Sequence, residues 1–251
     1  MLKKTILLLM FCGIAPASMA QSAEELLTQA QTLMKQMKET EALAKYKELL
    51  QVSPGHVAAF TQSSLICSRE AARQKDKAAK QTWLDQARIY AYEALKAEPE
   101  NAEANYAQAV YYARLAQISG AKEKVAAAKE VKKYADLALK FKPGYGEAFH
   151  LIGKWNFDLY NLSSIEKAAA KVLFGGVPPG TMEEAIANYE KCMQLKPSFI
   201  LNYLDLAIAF KQNNQETQSM EVLNKAVKLR PIFQDDIAYK AECKKMLEDM
   251  Q

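Results

Sequence analysis

The residues best suited to chemistry are two histidines, His56 and His150. A histidine can serve as a general base or a metal ligand, but each role needs further residues at a fixed spacing. The chain has no H-E-x-x-H, C-x-x-C or G-x-S-x-G motif and no glycine-rich loop of phosphate-binding spacing. His56 follows a Pro-Gly dipeptide, as in a turn, and His150 lies in a helical pattern, where we expect packing or a place at a groove rim. The sequence therefore predicts no enzyme, metal site or cofactor.

Three cysteines follow the first twenty residues, namely Cys67, Cys192 and Cys243. An odd number at such wide spacings is not typical of a disulfide framework. Each lies in a helical pattern, so we expect small, buried apolar side chains, while the sequence leaves any pairing open. Aspartates and glutamates fall beside lysines, which is typical of solvated helix surfaces.

Aromatic side chains are concentrated in the middle of the chain, at Tyr106, Tyr111, Tyr112, Tyr145, Phe149, Trp155, Phe157 and Tyr160. Packing between helices is the better interpretation of Phe149 and Phe157. Asparagine and tyrosine side chains can instead line a polar groove. The four candidates for binding a partner on a concave face are Asn105, Tyr112, Asn156 and Tyr203. For these four, packing and binding are equally open interpretations.

Helices must position these side chains, because alanine, leucine, lysine, glutamate and glutamine dominate and β-branched residues are sparse. Five helical patterns each end in a proline, at Pro54, Pro99, Pro143, Pro197 and Pro231. Proline cannot continue a helix and is common just past its end. This series of prolines indicates an internal repeat.

Small residues recur at a fixed distance from these prolines. Twelve positions earlier lie Ala42, Ala87, Val131, Ala185 and Ser219, and ten positions later lie Ser64, Ala109, Gly153, Ala207 and Ala241. Small residues let two helices approach closely. The pattern resembles the tetratricopeptide repeat, an antiparallel helix pair of about 34 residues, and it extends from Ala23 to Met250. The resemblance implies an all-α, right-handed tetratricopeptide-like solenoid of about five helix pairs plus a C-terminal capping helix.

Repeats two and three are about ten residues longer than this consensus, judged from the spacings of Pro54, Pro99 and Pro143. The additional residues are lysine-rich and favour helix, so they predict helix pairs lengthened at one end. A solvated helix tip is the simpler interpretation of their charge. A basic surface for an acidic partner or a phospholipid headgroup is the alternative.

Repeat four carries an insertion at about residues 161–180. Ser163 and Glu166 have the spacing of a capping box, which predicts a short helix reaching Lys171 or Phe174. Glycines and prolines then predict a loop. Ile165, Leu173 and Phe174 could form a lid over an apolar ligand. A structural plug that fills a gap in the core is the alternative for this segment.

The insertion also carries a more specific resemblance. The strings HLIGKW and IEKAAAKVLFG, a Pro-Pro loop and TMEEAIANYEKCMQLKP resemble the regulator of microtubule dynamics family, best from Tyr134 to Phe233. Eukaryotic members have been linked to microtubules and to mitochondrial or endoplasmic-reticulum membranes. The resemblance implies the fold and the insertion, and it implies no catalytic residue. A microtubule partner conflicts with the localisation expected from the N-terminus.

The N-terminus has the pattern of a secretory signal peptide. Lys3 and Lys4 precede the apolar run from Thr5 to Ile14, and small residues end at Ala20. The run is shorter than the ~20 residues of a transmembrane helix. We therefore expect a cleaved signal peptide at residues 1–20, a single helical domain at 21–251, and an exported protein, periplasmic or secreted.

These features together predict a non-catalytic, exported scaffold that binds an unknown protein or peptide on its concave face. The alternative is a module for an apolar ligand or lipid, with the 161–180 insertion as its lid. The 33 basic and 29 acidic side chains nearly balance, which argues against a nucleic-acid partner. No segment is apolar and long enough to predict a transmembrane span.

Overall fold

The computed structural model describes residues 15–174, 176 and 180–250, without the side chains of residues 15–21, 169, 173 and 174. The described part contains α-helices and no β-strand. The all-α prediction is therefore confirmed.

Twelve helices are described. They are α1 (Ala15–Lys35), α2 (Glu39–Val52), α3 (Val57–Arg73), α4 (Lys77–Ala97), α5 (Ala102–Ile118), α6 (Ala121–Phe141), α7 (Gly146–Tyr160), α8 (Ser164–Phe174), α9 (Met182–Leu195), α10 (Ile200–Gln212), α11 (Glu216–Ala226) and α12 (Asp236–Glu248). The main pairs are α1 with α2, α3 with α4, α5 with α6, α7 with α9, and α10 with α11. Helix α12 packs on the last pair, so the predicted solenoid of five pairs and a terminal helix is confirmed.

The predicted small positions lie where helices touch. Ala42, Ala87 and Ala185 are fully buried. A side chain on Gly153 would place its Cβ 2.8 Å from the ring of Tyr189 and 3.1 Å from the carbonyl oxygen of Ala185. This approach between α7 and α9 leaves no space for a methyl group, so glycine is required there.

Polar residues begin several of the helices. The Nδ1 atom of His56 accepts a hydrogen bond from the backbone N–H of Ala59 at 3.2 Å, so this histidine caps α3. Asp76, Asn101 and Thr181 cap α4, α5 and α9 in the same way. Such caps satisfy backbone donors that have no partner within the helix. One of the two histidines therefore has a structural role.

The middle pairs are longer than the last one, as predicted. Helices α3 and α5 have 17 residues each and α4 and α6 have 21, whereas α10 and α11 have 13 and 11. The difference adds about one turn to the first helix and almost three turns to the second helix of a pair. The lengthened ends carry α8, which packs against α6.

The insertion begins with the predicted capping box. The carboxylate of Glu166 accepts from the backbone N–H of Ser163 at 2.8 Å, and the backbone N–H of Glu166 donates to Ser163 Oγ at 3.3 Å. The same carboxylate binds Lys124 Nζ of α6 at 2.5 Å. Helix α8 is thus fixed at its first turn by both a cap and an ion pair.

Candidate ligand-binding groove

A cavity of about 520 Å³ lies on the concave side of the solenoid. The first helices of the repeats line it, namely α3, α5, α7 and α10, and α12 completes the wall. Because these helices stack side by side, each contributes one strip of side chains to the same surface. The volume of the cavity is within the range of about 300–1,000 Å³ that is typical of ligand pockets.

Aromatic rings form much of the cavity wall. Tyr106 and Tyr145 lie with their ring centroids 5.0 Å apart, and Phe199, Phe233 and Tyr239 line the side formed by α10 and α12. Burial raises the pKa of both Tyr106 and Tyr145. Their hydroxyls therefore stay neutral and can donate a hydrogen bond to a ligand.

Polar side-chain contacts link neighbouring elements along the wall. His150 Nε2 of α7 lies 2.8 Å from Asp205 Oδ2 of α10, and the histidine ring meets Phe199 edge-on at 4.9 Å. Lys196 pairs with Glu147 beside them. His150 is only 6% exposed, so it is both packed and at the cavity surface. The first contact joins α7 to α10, and the second joins α7 to the end of α9.

Side chains also bridge the cavity from α3 to the segment that precedes α12. We name the four residues Glu39, Arg69, Arg73 and Asp235 the closing network. Arg73 binds both carboxylate oxygens of Asp235, at 2.7 and 2.9 Å. Arg73 also binds Glu39 at 2.8 Å, and Arg69 binds Glu39 at 3.0 Å. The network joins the second repeat to the C-terminal cap and closes one side of the groove.

The closing network is well shielded from water. The side chain of Glu39 has no exposed surface, and those of Arg73 and Asp235 are 17% and 19% exposed. Burial alone would lower the pKa of Arg73, but the hydrogen bonds with Asp235 and Glu39 raise it. Arg69 also lies 5.0 Å above the ring of Phe233, a cation–π contact. The bridge therefore combines charge, hydrogen bonds and ring packing.

A smaller apolar pocket of about 70 Å³ adjoins the cavity. It lies among α5, α6 and α7, and its walls include Val125, Leu159 and Leu162. Trp155 also lines it and is held by a 2.7 Å hydrogen bond from Nε1 to the carbonyl of Ala128. We name this space the side pocket. It shares the lining residues Ala113, Gln117, Leu151 and Lys154 with the main cavity, so the two spaces are neighbours.

The four predicted binding residues lie beside the cavity and not on its lining. Asn105 is 1% exposed, and its amide donates to the carbonyls of Pro99 and Asn101, both at 2.9 Å. Tyr203 is 5% exposed and donates to the carbonyl of Pro197 at 2.9 Å. Both side chains therefore fix the turn that precedes their own helix.

The other two predicted residues also make contacts within the fold. Tyr112 stacks on Tyr134 of α6, with 5.9 Å between ring centroids. Asn156 is 1% exposed and donates to the carbonyl of Ile152 at 3.0 Å. Its side-chain oxygen has no hydrogen-bond partner among the described residues. A binding role for these four side chains stays a prediction.

The residues that do line the cavity are often the immediate neighbours of the predicted ones. Tyr106 follows Asn105, Ala113 follows Tyr112, and Leu204 follows Tyr203. One residue rotates a side chain by about 100° around a helix. The candidates thus lie on helices that line the groove, and the positions that follow Asn105, Tyr112 and Tyr203 face it, whereas Phe157 after Asn156 does not line it.

The described residues of the insertion do not line the main cavity, and Leu162 lines the side pocket. Ile165 is 76% exposed on α8 and does not line the cavity. The side chains of Leu173 and Phe174 lie outside the described residues. The proposed lid and the proposed plug both stay predictions. Val172, on the same face as Ile165, is 84% exposed, so α8 presents an apolar strip to solvent.

Within the described residues, no group of three or more histidine, cysteine or acidic side chains could hold a metal ion. In the same ranges, we find no helix with both the length and the apolar character of a membrane span. Cys67, Cys192 and Cys243 are buried free thiols. Burial raises the pKa of Cys67 and Cys192 to about 12, so neither is a thiolate at neutral pH.

Two solved structures share this fold. A thermophilic TPR protein of Thermus thermophilus gives a TM-score of 0.63 at 13% identity, covering 89% of this chain and 99% of that chain. The pilF protein of Pseudomonas aeruginosa gives a TM-score of 0.56 at 10% identity, covering 92% of this chain and 87% of that chain. At these identities the likeness shows the fold alone. It defines the class, a tetratricopeptide-like helical-repeat scaffold.

The family follows from sequence. The family model of regulator of microtubule dynamics protein 1-3 matches residues 26–251, so the chain belongs to this family. Regulator of microtubule dynamics protein 1 of Caenorhabditis elegans is 27% identical over 165 residues, which are 66% of this chain and 73% of the relative. Protein 2 of Bos taurus is 30% identical over 154 residues, 61% of this chain and 38% of the relative. The chain thus spans well under half of this bovine relative.

This family corrects the predicted localisation. The relatives are animal proteins named as regulators of microtubule dynamics, so the expectation of an exported, periplasmic or secreted protein is wrong. The basic and apolar N-terminal pattern led to that error, because short apolar segments after lysines are typical of signal peptides. Residues 1–14, which carry most of this pattern, lie outside the described part. A microtubule partner conflicted only with the predicted export. Because that prediction is wrong, the conflict no longer exists.

Proposed function

We propose that the chain is a non-catalytic scaffold that binds a short, extended segment of a partner protein in the concave cavity. The observation that carries this proposal is the cavity itself, about 520 Å³ in volume and lined by five helices. Tetratricopeptide-like pairs stack to give such an extended concave surface, and solenoids commonly use it for binding. Family membership and fold support a scaffold.

The chemistry of the cavity suits a peptide. A peptide offers apolar side chains together with backbone carbonyls and amides that must be hydrogen-bonded when buried. The rings of Tyr106 and Phe199 supply apolar contact, while the neutral hydroxyl of Tyr145 can donate to a carbonyl. The carboxylate of Asp205 and the amide of Gln62 also line the wall. The lining thus provides both kinds of contact that an extended segment needs.

A scaffold role is also supported by how the ionisable groups are used. His150 is paired with Asp205, and Lys196 is paired with Glu147. The free thiol of Cys243 is buried, and burial raises its pKa to about 11. A nucleophile or general base needs an accessible group in its reactive protonation state. The paired and buried groups fit positioning of the wall better than catalysis.

The test is selection of peptides from a random octapeptide display library by the purified protein. Selected peptides should lose most of their affinity when Val110→Arg or Ile208→Arg places a charge on the cavity wall. Ile89 is 52% exposed on α4, so Ile89→Arg is the matched control and should keep full affinity. Failure to select any peptide would overturn the proposal, as would equal binding by all three variants.

An apolar ligand or lipid is the second candidate. The side pocket favours it, because Val125, Leu159 and Leu162 offer an apolar recess beside the main cavity. Burying apolar surface there stabilises an acyl chain by about 25 cal/mol per Å². Native mass spectrometry of gently purified protein should then show a bound apolar molecule, displaced in Val110→Arg. A ligand-free mass would exclude this second candidate.

A further inference from the structure

One arginine of the cavity differs from every other basic side chain of its lining. Arg114 lies on α5 and donates to Gln117 Oε1 at 3.3 Å. Among the described residues, no carboxylate lies within 4 Å of its guanidinium group. The other lining cations all have an acidic partner: Arg69 binds Glu39, Lys154 binds Asp158, and Lys196 binds Glu147. Arg114 is thus a cation in the cavity without an anion among the residues that the structure describes.

The acidic residues of the lining do not supply this anion. Asp235 is bound to Arg73, and Asp236 accepts from the backbone amides of Ile232 and Phe233, each at 2.8 Å. Glu242 has no basic partner among the described residues, but it is exposed on α12 and is solvated there. A partly buried guanidinium beside aromatic walls favours an external carboxylate, which it can bind through two parallel hydrogen bonds.

The side pocket lies one helical turn along α5 from Arg114. Gln117 lines both spaces and is the hydrogen-bond acceptor of Arg114. Residues three positions apart on a helix have Cβ atoms about 5–6 Å apart. A carboxylate at Arg114 and an apolar group in the side pocket would therefore belong to the same residue of a ligand or to residues about two positions apart.

We propose that the segment bound in the cavity carries a carboxylate next to an apolar anchor side chain. The carboxylate binds Arg114, and the anchor fills the side pocket between Trp155 and Leu159. This inference rests on the proposed peptide-binding function and adds the chemical class of the partner segment. The carboxylate comes either from an aspartate or glutamate side chain or from the C-terminus of the partner.

The experiment measures affinity for octapeptides selected from the display library, synthesised with a fluorescent label. Selected sequences should share an acidic residue, or a free C-terminus, within two positions of Leu, Ile, Met or Phe. Replacing the acidic residue by its amide, or amidating the C-terminus, should weaken binding about tenfold or more, since charge-assisted hydrogen bonds are the stronger ones. Whichever of these two modifications weakens binding identifies the source of the carboxylate.

Variants of the protein test the same contact from the other side. Arg114→Gln should weaken the acidic peptide about tenfold and leave the amide version unchanged. Arg88 is exposed on α4, so Arg88→Gln is the matched control and should bind like the wild type. If Arg114→Gln binds the acidic peptide with unchanged affinity, or weakens both peptides equally, the carboxylate contact is overturned.

The anchor is tested by filling the side pocket. Ala116 lines it, whereas Ala126 of α6 is exposed, so Ala116→Leu and its control Ala126→Leu make the same change in two settings. Ala116→Leu should weaken peptides with a large anchor and spare versions with alanine at that position. Circular dichroism confirms that both variants are folded. Equal loss for large and small anchors would overturn the anchor contact.

The outcomes separate the two proposals. If the library yields no peptide, the proposed function fails, and the partner chemistry fails with it. If selected peptides compete for the cavity but share neither a carboxylate nor an anchor, the proposed function stands and the inference about Arg114 fails. Loss of affinity confined to the acidic peptide and to Arg114→Gln supports both.

Discussion

Arg73 lies at the closed side of the groove and Arg114 on its lining, and their surroundings are opposite. Arg73 belongs to the closing network and contacts three carboxylates, those of Glu39, Glu70 and Asp235. Arg114 has one neutral hydrogen-bond partner, Gln117, within the described ranges. Arg73 therefore stabilises the fold through its ion pairs. Arg114, with no carboxylate partner among the described residues, is available to a ligand.

The difference follows from position along the solenoid. Arg73 is the last residue of α3, where three segments converge and supply acidic groups. Arg114 lies inside α5 in the middle of the concave wall, where neighbouring helices offer mainly rings and aliphatic side chains. Charges at the edge of the groove can form ion pairs that hold its walls together. A charge at the centre of the groove can instead attract an oppositely charged ligand.

The largest effect is expected from removing the charge of Arg73. Arg73→Met should lower the free energy of unfolding by about 3 kcal/mol, because it leaves Asp235 without its arginine partner and removes one of the two arginines that bind buried Glu39. Urea denaturation measures this change. The exposed Arg88→Met is the control and should stay within about 0.5 kcal/mol of the wild type. Equal midpoints for the two variants would contradict a structural role for Arg73.

A smaller effect is expected from neutralising Asp235. Asp235→Asn keeps the shape but loses the charged, two-point contact with Arg73, so it should cost about 1.5 kcal/mol. Amide hydrogen exchange should increase in residues 231–242, since the C-terminal segment is no longer held on α3. Asp249→Asn, on the exposed end of the chain, is the comparison. Unchanged exchange in that segment would show that the closing network does not hold it.

The partly exposed ion pair between Lys124 and Glu166 should make the stability of α8 depend on pH. Hydrogen bonds from Lys124 and from Ser163 lower the pKa of Glu166 from 4.5 to about 2. Because the folded state favours the carboxylate, its stabilisation of α8 is complete above about pH 4.5 and is lost as the pH falls to about 2. NMR signals of the α8 amides should shift over this window, and Glu166→Gln should remove the shift. Glu123→Gln, on an exposed site of α6, should not.

The smallest effect on stability is expected for Arg114. Arg114→Gln removes a single hydrogen bond, to Gln117, so the free energy of unfolding should change by no more than about 0.5 kcal/mol. Thermal denaturation beside Arg73→Met tests the contrast directly. A loss as large as that of Arg73→Met would mean that Arg114 has a structural partner, and the two arginines would no longer differ in kind.

Local patterns made the repeat architecture predictable. The prolines lie just after helix ends, as Pro54 follows α2 and Pro99 follows α4. The small positions are set by helix contact, and Gly153 against Tyr189 shows why no larger residue fits. The capping box at Ser163 and Glu166 predicted the start of α8. Each of these signals acts over a few residues, so it can be seen in the sequence.

The groove was predicted less well, because its lining depends on rotation about each helix axis. Residue type favours Asn105 and Tyr203 as binding residues, whereas Tyr106 and Leu204 line the cavity. Hydrogen bonds to Pro99 and Pro197 hold the selected side chains at the preceding turns. Residues four positions apart lie on the same face of a helix. Asn105 and Tyr203 lie four positions before the small residues Ala109 and Ala207, so this spacing would have placed them on the helix-packing face and not on the groove face.

The closing network had no sequence signal at all. Arg73 and Asp235 are 162 residues apart, and neither belongs to the repeat pattern. Only the curvature of the assembled helix pairs brings them together. No sequence pattern distinguishes Arg114 either, since its distinguishing property is the absence of a carboxylate among its described neighbours.

The closing network also joins two distant points of the repeat series, α3 and the start of α12. An open solenoid grows by adding helix pairs, because each pair contacts only its neighbours. Here the contact of Arg73 with Asp235 spans the pairs between α3 and α12, and each added or deleted pair would rotate and shift one end relative to the other. Duplication of a repeat, a common route by which such proteins lengthen, would separate the two residues. The Arg73–Asp235 contact is therefore compatible only with the present number of helix pairs between α3 and α12.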